Sequence, residues 1–158
     1  MKRVLFVCLG NICRSPAAEG IFQSLVAKRG LENSIGVDSA GTSSYHIGEP
    51  ADKRMRQAAE LRGIELLSRS RMVSPRDLSQ FDLIIAMDRN NYRELEALAE
   101  GSSGKVRLLS EYLDENWPRD VPDPYYGGEE GFSKVLDMLE AACPRILDEI
   151  CPESPPTA

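Results

Sequence analysis

The sequence predicts an α/β sandwich: one domain on a four-stranded parallel sheet, flanked by helices on both faces. Four short apolar runs at residues 3–8, 35–40, 81–87 and 106–109 alternate with longer segments of helical periodicity. The 158 residues, 42% hydrophobic and 28% charged, are enough for a single buried core. The first strand ends in a thiol, Cys8, and passes through a tight polar loop into a helix, so chemistry gathers at the strands' carboxyl ends.

Residues 3–8 read as a buried strand. A helix over 15–29 follows, with Ala18, Ile21, Phe22 and Leu25 on one face. Ser15 suits its N-cap and Pro16 its first position, where the missing N–H is harmless. Gly30 ends it. Ile35 to Ala40 forms the second strand, closed by Gly41. Helical spacing returns over 51–62 through Met55, Ala58, Ala59 and Arg62, and Gly63 stops it. Between 64 and 80 the pattern weakens, and Pro75 with Asp77 suggests a turn or short helix. Phe81 to Met87 is the third strand, and Asp88 caps a helix to about Glu100. Gly101 to Gly104 is a loop, and Val106 to Leu109 the fourth strand. Glu111 to Gly131, with three prolines and three glycines between 118 and 131, reads as a long irregular segment of the kind that is often functional. The last helix carries Phe132, Val135, Leu136, Leu139, Cys143, Ile146 and Ile150 on its apolar side, and Pro144 is expected to kink or restart it.

The net charge of −6 argues against general nucleic-acid binding. It is unevenly spread: residues 53–76 hold seven basic and two acidic side chains, residues 111–158 three basic and twelve acidic. No segment has the length needed to span a membrane, and Gly10 to Arg14 interrupts the first apolar run before it resembles a signal peptide. A cytoplasmic protein with reduced thiols is expected, so the four cysteines call for chemical or packing reasons. The oligomeric state stays open.

The densest chemical signal is Cys8-Leu9-Gly10-Asn11-Ile12-Cys13-Arg14-Ser15. Cys-x5-Arg alone is a weak pattern; a strand before it and a helix after it make it specific. Backbone N–H groups of such a loop converge on one point, and the helix N-terminus adds partial positive charge. A thiol held there ionises readily, and a tetrahedral dianion binds above it. The stretch therefore reads as a phosphate-binding loop with a built-in nucleophile.

With this motif at the N-terminus, Asp38-Ser-Ala-Gly-Thr42 in the middle and Asp123-Pro124-Tyr125-Tyr126 in the long segment, the chain resembles the low-molecular-weight protein tyrosine phosphatases from end to end. The resemblance implies a phosphatase domain over residues 1–151, with 152–158 a frayed tail, and hydrolysis of protein phosphotyrosine with no metal or other cofactor. Cys8 matches the nucleophile that forms a phosphocysteine. Arg14 matches the residue whose planar fork grips two phosphoryl oxygens. Ser15 matches a hydroxyl that donates to the sulfur. Asn11 matches a loop-shaping residue, and asparagine tolerates left-handed backbone. Asp123 matches the general acid, with Pro122 and Pro124 restraining it. Tyr45 and Tyr125 match aromatic walls around the substrate ring. Tyr126 is either a second wall or a packing residue. Cys13 corresponds to a thiol that pairs reversibly with the nucleophile in relatives, or is a plain structural thiol. His46, the sole histidine, reads as a loop residue without a catalytic role.

Three other functions compete. Arsenate reductases of similar fold share the loop but resolve their adduct with two mid-chain cysteines, and this chain has none between Cys13 and Cys143. Protein arginine phosphatases carry threonine where Ile12 stands. A silent phosphotyrosine-binding module would lack the acid or the nucleophile, and both Cys8 and Asp123 are present. The partners implied are tyrosine-phosphorylated proteins, with neither nucleic acid nor membrane.

Overall fold

The computed structural model describes residues 1–99 and 105–151, the Tyr126 side chain excepted. The loop Gly101–Gly104 and the tail after Cys151 lie outside the described residues. Strands β1 (Lys2–Cys8), β2 (Ile35–Gly41), β3 (Leu83–Ala86) and β4 (Val106–Leu108) form one parallel sheet in the order β2-β1-β3-β4. Alternation along β1 sends Val4, Phe6 and Cys8 into one core layer and Leu5 and Val7 into the other. The first layer is closed by α1 (Arg14–Lys28), α2 (Lys53–Glu60) and α5 (Glu129–Ile150). The second is closed by α3 (Pro75–Gln80) and α4 (Arg89–Leu98) through Leu78, Phe81 and Leu95. The expected sandwich is the observed one. β1 has β2 on one side and β3 on the other, so the crevice where the chain order reverses opens at Cys8.

Three local expectations are corrected. Helix α1 starts at Arg14 with Cys13 at the cap, so Ser15 and Pro16 occupy the second and third helical positions. Pro16 is still within the first turn, where no N–H is needed, and the Ser15 hydroxyl is released for the loop. Helix α5 begins at Glu129 and runs unbroken through Pro144. Its flanks Ala142, Cys143, Ile146 and Leu147 are fully buried, and that packing holds the helix across the missing hydrogen bond. Strand β3 is the four residues Leu83–Ala86: Phe81 caps α3, and Met87, whose N–H still donates to Val7 O at 3.0 Å, lies just past the last paired position. The segment 111–128 is irregular apart from 3-10 turns at its start and at Pro124–Tyr126. The weak region 64–80 resolves into the short helix α3, begun by the Asp77 carboxylate accepting the Ser74 N–H at 2.8 Å.

Candidate active site

The loop from Leu9 to Cys13 is tied down on all sides. Thr42 and Ser43 N–H groups donate to the carbonyls of Cys8 and Leu9, each at 2.9 Å. The Ser70 hydroxyl donates to Gly10 O at 3.0 Å, and the Asp52 N–H to Ile12 O at 2.8 Å. Asn11 adopts φ +56°, the left-handed backbone expected of it, and is only 1% exposed. Its amide nitrogen donates to Ser15 Oγ (2.8 Å) and Ser39 Oγ (3.0 Å), while its oxygen accepts the Arg71 N–H (2.9 Å).

Two donors aim at Cys8 Sγ. The Asn11 N–H lies 3.2 Å away and the Ser15 hydroxyl 3.0 Å. Ser15 Oγ already accepts from Asn11, and its other neighbour, Ala40 O, is 3.4 Å distant, so its proton points to the sulfur. Both contacts suit a sulfur bearing negative charge.

Arg14 is 3% exposed and held from two sides. One guanidinium nitrogen donates to Asp88 Oδ2 at 2.7 Å and to Val121 O at 3.1 Å. The other lies 3.6 Å from Asp123 Oδ2. Burial opposes its charge, but the Cys8 sulfur and the carboxylates of Asp88 and Asp123 outweigh it and hold the guanidinium pKa above its usual value. Asp123 caps its own turn, accepting the Tyr125 N–H at 3.1 Å.

A cleft of about 400 Å³ opens over these groups, with Leu9, Tyr45, His46 and Tyr125 on its walls. Tyr45 is 84% exposed and Tyr125 half-buried. The His46 ring stands between them, centroids 5.1 Å from Tyr45 and 6.0 Å from Tyr125, with Nδ1 2.8 Å from Glu49 Oε2. The two expected walls thus share one cleft, and His46, set aside as a loop residue, joins them. The Tyr126 side chain lies outside the described residues.

All four cysteines are free. Burial, reinforced by the charges of Asp52, Cys8 and Asp123, pushes the Cys13 thiol well up. Cys143 is fully buried in α5 and its thiol is raised by desolvation, which leaves no resolving pair of the arsenate reductase kind. Among the described residues, no three His, Cys, Asp or Glu side chains group to hold a metal, and no helix is long and apolar enough to cross a membrane.

A thiol in a closed anion-binding loop, with an arginine beside it and a carboxyl above, defines a cysteine-dependent phosphoryl-transfer site. The model of the low molecular weight phosphotyrosine protein phosphatase family matches residues 3–154. The low molecular weight protein-tyrosine-phosphatase YfkJ of Bacillus subtilis is 43% identical, with 95% of this chain and 96% of that one covered. A crystal structure of a protein tyrosine phosphatase from Entamoeba histolytica superposes with a TM-score of 0.91 at 44% identity, covering 94% of this chain and 96% of that chain. The Drosophila arginine phosphatase superposes with a TM-score of 0.88 at 36% identity, covering 98% and 100%. The chain belongs to the low molecular weight phosphotyrosine protein phosphatase family, hydrolases that work through a phosphocysteine.

Proposed function

We propose that Cys8, Arg14 and Asp123 carry out this hydrolysis on tyrosine-phosphorylated proteins of the cytoplasm, with no metal ion in the reaction. The phosphoryl group sits in the loop, its oxygens facing the N–H groups of residues 9–15 and the Arg14 fork. The Cys8 sulfur attacks phosphorus as the P–O bond to tyrosine breaks, and Asp123 gives its proton to the departing phenolate. Asp123 then takes a proton from the water that splits the phosphocysteine, and the Ser15 hydroxyl stabilises the sulfur as it leaves. Tyr45, His46 and Tyr125 receive the flat ring, and stacking favours an aromatic ester over an aliphatic one.

The observation that carries this reading is the pairing of two donors on Cys8 Sγ, at 3.0 and 3.2 Å, with a buried Arg14 that reaches Asp123 at 3.6 Å. The test is phosphate release from a phosphotyrosine peptide in EDTA, with Cys8→Ser as control and a phosphoarginine peptide as competitor. Turnover by the wild type alone, with preference for phosphotyrosine, is expected. Preference for phosphoarginine would move the substrate assignment, and activity in the serine variant would end the mechanism.

A further inference from the structure

Asp52 and Arg54 join the phosphate loop to the loop that carries Asp123. The Asp52 N–H donates to Ile12 O at 2.8 Å, inside the phosphate loop. The same residue caps α2, its carboxylate accepting the Arg54 N–H at 2.8 Å. That carboxylate also receives the Arg54 guanidinium through Nε at 3.1 Å and Nη2 at 3.0 Å, a bidentate pair that fixes the plane of the fork. Arg54 is thereby aimed across the gap, and Nη2 donates to Tyr125 O at 2.9 Å. Its guanidinium carbon lies 4.8 Å from the ring centroid of buried Phe132 and 5.5 Å from that of Tyr125.

The Tyr125 residue is held at both ends. Its N–H donates to Asp123 Oδ1, its carbonyl accepts from Arg54, and its ring lines the cleft. Anchoring at the loop's other end is separate: Arg89 forms a two-pronged pair with Asp120, and the Val121 N–H donates to Met87 O at 2.9 Å. The Arg54 contact acts on the side of Asp123 that faces Tyr125. None of these Arg54 bonds goes to Cys8 or Arg14, and the one that reaches the acid loop runs through Tyr125 to Asp123.

We infer that Arg54, aimed by Asp52, is a positioning residue that sets where the Asp123 carboxyl stands relative to the phosphate loop and hence how well it protonates the leaving group. This rests on the reading of Asp123 as the general acid. Without Arg54 the Tyr125 carbonyl loses this donor, the Pro124–Tyr126 turn shifts, and the bond from the Tyr125 N–H that orients Asp123 shifts with it.

The test compares wild type, R54M, R54K, D123A and R54M/D123A on aryl phosphates that differ in leaving-group acidity, phenyl against p-nitrophenyl phosphate. Inhibition by inorganic phosphate and thermal unfolding are measured alongside. R54M is expected to lower kcat/KM for phenyl phosphate about tenfold more than for p-nitrophenyl phosphate, a part of what full loss of an acid removes. Inorganic phosphate should inhibit it as it does the wild type, R54K should fall between, and the double variant should be no worse than D123A. Equal losses on both esters in R54M, or a further loss on adding R54M to D123A, would overturn the inference and leave Asp123 as the acid. No leaving-group discrimination in D123A would overturn both together. Weakened phosphate inhibition in R54M would assign Arg54 to the phosphate loop instead.

Discussion

Asp88 holds Arg14 with one carboxylate oxygen, at 2.7 Å, and caps α4 with the other, accepting the Asn91 N–H at 2.8 Å. The first turn after β3 is thus bolted to Arg14, at the end of the loop after β1. Asp88→Asn keeps an oxygen for the cap but offers Arg14 an N–H where it needs an acceptor. Stability should change little, while kcat/KM for a phosphotyrosine peptide should fall about 100-fold, the scale of a small misplacement of a catalytic group. Steady-state kinetics beside urea unfolding checks it. Loss of stability with kcat/KM intact would mean that Asp88 serves the helix alone.

Gly41 matters because of what lies across from it. A Cβ there would stand 2.7 Å from Leu9 O and 3.1 Å from the Asn11 Cβ, and a backbone carbonyl inside the phosphate loop has no room to retreat. Gly41→Ala should destabilise the fold by about 1–3 kcal/mol, as overpacking does, and weaken inhibition by inorganic phosphate. Wild-type phosphate inhibition in that variant would show that the loop yields without changing shape.

His46 supplies an edge-on ring contact to Tyr45 and a tilted one to Tyr125, and its Cδ2 would meet a Cβ placed on Gly10 at 3.1 Å. Removing the ring leaves both tyrosines without their common support. His46→Ala should raise KM for the phosphotyrosine peptide roughly tenfold, the worth of one or two aromatic contacts, and leave kcat and inorganic phosphate inhibition unchanged. An unchanged KM would return His46 to the status of a loop residue.

The strands and the nucleophile loop were legible because their signals are local. Val4 to Cys8 is an apolar run ending at a turn, and asparagine at position 11 tolerates the left-handed backbone the loop takes there. What could not be read were contacts made by strand order. Asp88 reaches Arg14 across 74 residues only because β3 lies beside β1. Arg71 meets Asn11 across 60 residues only because the chain after α2 returns past the end of β2. Ser15 was misread as a cap for a related reason. The first helical turn is set by the phosphate loop, and the serine's hydroxyl serves Cys8 instead. Pro144 does not restart the helix, because burial on both sides of it outweighs local propensity.

Behind the Cys8 sulfur a line of hydrogen bonds runs through Ser15, Asn11 and Ser39 to Glu19, where the Ser39 hydroxyl donates to Oε1 at 2.5 Å. Glu19 is 9% exposed. Burial raises its carboxyl pKa, the bond from Ser39 opposes this, and the nearby Asp38 charge adds to the rise. The folded protein therefore keeps the Glu19 proton to a higher pH than the unfolded chain, which releases it near pH 4.3. Between the two values the folded state binds more protons, so stability falls as pH rises from about 4.3 and levels off above the folded pKa. Glu19→Gln keeps an acceptor for Ser39 and has no proton to lose. The stability of the variant minus that of the wild type should then grow with pH across that window, since titrating groups not coupled to Glu19 cancel in the difference. Urea unfolding of both proteins at a series of pH values measures it. A difference that stays flat with pH would mean that Glu19 is charged at no net loss in the folded state, and that the line from Cys8 ends on a carboxylate.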